Sequence, residues 1–149
     1  MGTLLTFMIH GQRFALELDL VQRVIWAVEV VPLPGQTEKV KGVVNVEEVV
    51  VPIVDIRRIV GLPEKEIELD DDIVISRSEF GPVGIVVDST EGLCEYGDAQ
   101  HVPITPAIKS YAGGVLKQEG ELIVIIDPSK MIRASDLPDV TKFDLAGIM

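Results

Sequence analysis

Three aspartates stand where a carboxylate could do chemistry: Asp55, Asp88 and Asp127, each at the end of an apolar run. Two carboxylates brought together could divide acid and base roles in a hydrolysis. Asp88-Ser89-Thr90 matches two positions of the triplet used in paired-aspartate proteolysis, with Thr where Gly is needed. Asp55-Ile56-Arg57 supplies no second copy. A small β-barrel hydrolase using Asp55, Asp88 or Asp127 is therefore the weakest reading. For Asp55 and Asp127 the simpler role is to cap the following turn, a side-chain oxygen accepting backbone N–H groups. Cys94 is the single cysteine, so it has no internal disulfide partner, which points to a reducing compartment. A nucleophilic thiol needs a neighbouring base, and His10 and His101 are both remote in sequence. Cys94 thus reads as a small buried strand residue. Asp70-Asp71-Asp72 offers the oxygens calcium takes, but without the alternating spacing of a calcium loop, and reads as a solvated turn. There is no phosphate loop, dinucleotide fingerprint or zinc cluster. The residues call for no catalytic group, no metal and no cofactor.

The chain that must position these residues has 149 of them, with 13 Lys+Arg against 24 Asp+Glu and a net charge of −11. A hydrophobic share of 47% excludes general disorder. The acidic balance argues against nucleic acid and anionic lipid, both of which need a basic face. No apolar run approaches the roughly 18 residues of a membrane span, so no direct membrane insertion is expected. Leu4, Leu5 and Phe7 alternate into a strand rather than forming a secretory signal core.

Val, Ile and Leu dominate the apolar set while aromatics are 5%, which suits strands. Strands are predicted over 5–9, 13–18, 40–46, 49–56, 73–76, 83–88, 93–96, 114–116 and 122–126. Residues 19–25 fit either a helical turn or a twisted strand. Short helical turns are predicted over 105–111 and 129–132. Pro52 suggests an edge strand or a bulge. The stretch from Ala134 reads as a loosely held polar tail. A weak internal repeat underlies this order. An offset of 72 carries Gly42-Val43 onto Gly114-Val115, Glu47 onto Glu119, Ile53 onto Ile125 and Asp55 onto Asp127. An offset near 69 carries Ala15-Leu16 onto Gly84-Ile85. The expectation is an all-β chain of two similar small barrels, approximate halves 4–70 and 71–133, with strands open to exchange between them. Halves of about 70 residues are near the lower limit for an adequate core, so they should pack together and leave a groove.

Val40-Lys41-Gly42-Val43-Val44-Asn45 and Val51-Pro52-Ile53-Val54-Asp55-Ile56-Arg57 resemble the CheW-like family of bacterial chemotaxis coupling proteins. Phe7, Gly11, Phe14-Ala15-Leu16 and Val21 are similar to its first hairpin. Val83 to Asp88, Tyr111 to Val115 and Leu122 to Asp127 are similar to later strands. The resemblance covers Leu4 to Ile132. It implies one CheW-like domain over 1–149 with two Src-homology-3-like five-stranded barrels packed together and a few helical turns. It implies no catalysis. It implies a cytoplasmic adaptor of receptor arrays in a bacterium or archaeon, linking the helical tip of a chemoreceptor to the regulatory domain of a CheA-type histidine kinase. The receptor tip would lie in an apolar groove between the barrels, and the positions matching that surface are Leu18, Val21, Arg23, Glu47, Gly84, Thr90 and Leu93. The family carries an acid where Arg23 stands and Arg-Gly where Glu47-Glu48 stands. The swapped charges predict an Arg23–Glu47 salt bridge, and they point to a divergent chemosensory system, such as one for pili or surface motility, as the alternative. Edge strands on two barrels also allow weak self-association.

Overall fold

Alternating apolar residues bury one face of a strand and expose the other. Where both faces of a sheet are covered, neighbouring residues enter two different cores. That pattern organises this protein. A computed structural model describes residues 2–34, 37–97 and 100–137. Among the described residues the strands are β1 (Thr3–Ile9), β2 (Gln12–Glu17), β3 (Val21–Trp26), β4 (Val40–Val46), β5 (Val49–Val54), β6 (Asp72–Ser76), β7 (Val83–Val87), β8 (Ser89–Glu95), β9 (Gln100–Val102), β10 (Ala112–Gln118) and β11 (Glu121–Ile126). Short helices α1 (Ile56–Val60), α2 (Pro106–Lys109) and α3 (Pro128–Met131) follow strands or loops. Residues 19–25 divide into the end of a 3-10 turn (Leu18–Leu20) and the strand β3.

The strands form two sheets, β8-β1-β2-β11-β10-β9 and β3-β6-β7-β5-β4. Membership does not follow the boundary at residue 70. The hairpin β1–β2 joins β8 to β11, and the hairpin β6–β7 joins β3 to β5. Each half of the repeat has given its first hairpin to the other. Parallel pairings seal the exchange: Ile53↔Gly84 in one sheet, and Ile125↔Ala15 in the other. These are the same two positions related by the offsets of 72 and 69. The register irregularities also coincide, between Val40 and Gly42 and between Ala112 and Gly114.

Each sheet wraps a small core of its own. Leu4, Ala15, Leu116, Ile123 and Ile125 fill the first. Val44, Val51, Ile53, Ile73 and Ile75 fill the second. The opposite faces meet in a larger shared core that includes Leu5, Phe7, Phe14, Leu16, Val54, Val74, Ile85 and Ile126. Chain neighbours such as Leu4/Leu5, Ile53/Val54 and Ile125/Ile126 are thereby split between cores.

Two sequence expectations are corrected here. Pro52 lies in β5, which has neighbours on both sides, so of the two alternatives the edge strand is overturned, while a register irregularity does lie one pair away, opposite Ile53 and Val54. The proline is tolerated because its partner Val43 exchanges both backbone hydrogen bonds with Val31, and the β7 ladder begins only at Ile53. The segment from Ala134 is not loose throughout. Asp136 is buried and accepts from Thr37 Oγ1 at 2.9 Å and from the Arg133 N–H at 2.8 Å, while Leu137 packs on the shared core. The rest of the tail, 138–149, lies outside the described residues.

Candidate functional site between the two sheets

The shared core opens at the edge strands β3 and β8. Residues directly opposite in neighbouring strands point to the same face. Thr90 is opposite Phe7 and Leu93 opposite Leu5, so both lie on the shared-core face of β8. Leu18 and Val21 pack against that core from the second sheet's side. Val24 is opposite Val74, and Trp26 is opposite Asp72, which is itself opposite Val87. Val24 and Trp26 therefore continue the same face outward, 41% and 79% exposed, with Leu93 at 64%. Thr90 bridges the sheets, its N–H and hydroxyl meeting Asp72 Oδ2 at 3.2 and 3.3 Å. The outcome is an apolar margin of Leu18, Val21, Val24, Trp26 and Leu93 with one polar tie. Val24 and Trp26 escaped the sequence reading, although the 69-residue offset sets Val24 on Leu93.

The remaining positions fall elsewhere. Arg23 is opposite Ile75, a residue of the second sheet's own core, so it leaves β3 on the other face. There its guanidinium meets Glu47 in two contacts, Nη1–Oε1 at 2.9 Å and Nη2–Oε2 at 3.0 Å. The hydrogen bond from Arg23 and then its charge hold the Glu47 carboxyl below its ordinary range. Gly84 is buried, and as a surface position it is corrected. A Cβ there would lie 2.5 Å from Ile53 Cδ1 and 3.2 Å from Ile73 Cγ2, so the bare backbone is what lets those side chains meet. Glu47 and Glu48 form a two-residue hairpin turn with φ of 48° and 67°. Both are left-handed, as tight hairpins require, and the Glu48 N–H donates to Asn45 Oδ1 at 2.9 Å.

The aspartates are all engaged. Asp55 caps α1 by accepting the Arg58 N–H at 3.3 Å, and Asp127 caps α3 by accepting the Ser129 N–H at 3.0 Å. Asp88 sits at the link between β7 and β8. It accepts from the His10 N–H at 2.9 Å and from Arg57 Nη2 at 2.9 Å, with Lys65 Nζ at 3.6 Å. Burial pushes its carboxyl up. The His10 amide, Arg57 and Lys65 outweigh that and hold it below its ordinary value. The cavity that Asp55 and Asp88 share with Arg57 and Lys65 measures about 10 Å³, room for about one water. The structure brings no two of Asp55, Asp88 and Asp127 together as a free carboxylate pair: Asp55 and Asp127 cap helices, and Asp88 is held by Arg57 and Lys65.

Two smaller expectations also change. Asp71 is buried, bound to Lys65 Nζ at 3.0 Å and to the Glu68 N–H at 2.7 Å, so the Asp70-Asp71-Asp72 stretch is not simply a solvated turn. Cys94 is on a strand but only half-buried, its Sγ 3.0 Å from Gln118 Oε1.

The site is thus an apolar margin between two packed β sheets, and the aspartates near it serve as helix caps and ion-pair partners. The chain belongs to the CheW-like domain family, whose profile matches residues 3–136. That family is one of non-catalytic chemotaxis scaffold proteins. The chain is 27% identical over 130 residues to the chemotaxis protein CheW of Thermotoga maritima, covering 86% of this chain and 85% of that one. It is 28% identical over 129 residues to CheW of Rhizobium meliloti, covering 83% of each. Its fold matches the crystal structure of the scaffolding protein TtCheW from Thermoanaerobacter tengcongensis with a TM-score of 0.79 at 18% identity, over 91% of this chain and 95% of that one. No helix among the described residues is long and apolar enough to cross a membrane.

Proposed function

We propose that this protein couples chemoreceptors to a CheA-type histidine kinase, as a cytoplasmic component of a receptor array. The observation that carries the reading is the exposed apolar margin between the sheets, in a chain of this family. A receptor's helical tip would lay apolar side chains on Leu18, Val21 and Leu93, with Val24 and Trp26 extending the contact. Thr90 would hold the two walls of the groove in register through Asp72. The test is co-sedimentation of the full chain with receptor-containing membranes and the kinase of its host. Val21→Glu puts a charge on a half-buried groove position and should reduce receptor retention about tenfold or more. Its circular dichroism spectrum should match that of the unsubstituted chain. Undiminished receptor retention would remove the groove assignment, and failure to retain any kinase would remove the adaptor reading itself.

The Arg23–Glu47 pair with Glu48 beside it supports a second reading within the same class. These charges are reversed from the family pattern, so the partner surface here should be matched to acid at the turn. A divergent chemosensory system, such as one for pili or surface motility, would supply such a partner. Exchanging both residues, Arg23→Glu with Glu47→Arg, should then transfer retention toward partners of ordinary flagellar systems.

A further inference from the structure

A second docking surface lies at the end of the β3–β7 sheet, where the chain runs on from the margin residue Trp26. One wall is the chain leaving β3, with Val28 and Val30; the other is the loop carrying Ile67 and Leu69. Between them runs an open groove of about 670 Å³. Both walls are pinned. The Ala27 N–H donates to the Asp71 carbonyl at 3.0 Å, which joins one wall to the other. The buried Asp71 carboxylate in turn holds Lys65 and the Glu68 N–H. Leu69 is thus held outward by a fixed loop at 93% exposure, and Val28 faces it at 45%. A single exposed leucine is ordinary. A groove lined by Val28, Val30, Ile67 and Leu69 whose walls are tied together, with its leucine almost fully in water, is the mark of an interaction site.

The rim decides the occupant. Glu29, Glu66 and Glu68 line the groove and Asp70 adjoins it. Among the described lining residues Lys41 carries the one positive charge, and its Nζ is 4.0 Å from Asp55 Oδ2. A second copy at −11 would meet acid with acid. We infer that this groove binds a basic segment of a partner protein, apolar side chains seated between Val28 and Leu69 and flanking Lys or Arg on the glutamate rim. Opposite charges steer such an encounter and reject acidic competitors.

The test uses the full, isotope-labelled chain and a short synthetic peptide of Leu and Lys, against a control of equal charge in which Ala replaces Leu. Site-specific binding shifts the amide resonances of residues 27–32 and 66–69, leaves those of Leu18, Val21 and Leu93 in place, and weakens with added salt. Leu69→Asp, at a position too exposed to unfold the chain, should weaken it about tenfold. Equal binding of the Ala control, shifts scattered over the acidic surface, or an indifferent Leu69→Asp variant would each overturn the proposal. So would concentration-dependent shifts of the same residues without peptide, which would give the groove to a second copy. A failure here leaves the receptor-coupling reading untouched, because that reading rests on Leu18, Val21 and Leu93.

Discussion

Glu48 and Asp88 show how individual residues depart from what their type suggests. Glu48 is a non-glycine residue at φ 67°, in a turn whose counterpart, Glu119-Gly120, has glycine at the second position with φ 82°. A side chain in this region is disfavoured by roughly 1–2 kcal/mol relative to glycine. Glu48→Gly should therefore raise unfolding stability by about 1 kcal/mol, after the added freedom of glycine in the unfolded chain is discounted. Urea unfolding would show it, and Glu48→Ala should show no such gain. The Arg23–Glu47 pair is left in place by this change, since Glu48 makes no part of it. Asp88 carries the opposite lesson, a carboxylate that looked catalytic and is a structural tie. Its folded-state carboxyl titrates below its ordinary value, so the unfolded chain binds more protons on acidification. The stability it contributes is complete above the unfolded value, about 3.9, and is lost as pH falls through the depressed folded value. Asp88→Asn should be less stable than the unsubstituted chain near neutrality, and the gap between their urea midpoints should narrow in acid. A gap independent of pH would remove the tie.

At the scale of elements, the short helices are made by their caps. Helix α1 has five residues, too few to persist on propensity. Asp55 accepts the Arg58 N–H at its start, and Gly61 closes it at φ 80° with its N–H on the Arg57 and Arg58 carbonyls. Asp55→Ala should cost about 1 kcal/mol in thermal unfolding, with little change in the strand signal of circular dichroism. The capping role of Asp55 and Asp127 was legible from their position after apolar strands. Helix α1 itself was missed: Ile56, Ile59 and Val60 stand at helical spacing between Asp55 and Gly61, but five residues are too few for that spacing to stand out from the end of an apolar strand. Strand β9 also escaped, since Gln100-His101-Val102 is too short for alternation to register; its pairing with Val115, Leu116 and Lys117 is what makes it a strand. For the edge strand β3 the sequence fits a helical turn as well as a twisted strand, and of β8 it predicts only the end from Leu93; the face each residue takes then depends on its partner across the ladder. Arg23 and Val24 are one residue apart and leave on opposite sides of the sheet.

At the scale of the molecule, the exchanged hairpins make the two sheets interdependent. A fragment of residues 4–70 retains nearly all of β1 to β5 but loses β8, β9, β10 and β11 from the first sheet and β6 and β7 from the second. What remains is isolated hairpins, which are marginal in water. Its amide spectrum should show the narrow dispersion of an unfolded chain, while the full chain should unfold in one transition by fluorescence and circular dichroism alike. A folded 4–70 fragment would contradict the shared core as the main source of stability. The groove has the same origin: its apolar margin exists only because hairpins distant in sequence meet across Phe7, Val54, Val74 and Ile85. The sequence by itself determined most of the strands, the capping aspartates, the repeat and the motifs that carry the family resemblance. Those are local matters of alternation, backbone freedom and spacing along the chain. Only the tertiary structure decided which half each hairpin joins, that Gly84 is interior while Val24 and Trp26 are at the margin, and that Asp88 is neutralised by Arg57 and Lys65. Those depend on pairings between residues far apart in the chain, where many strands offer nearly equivalent apolar faces and the global fit of three cores selects among them.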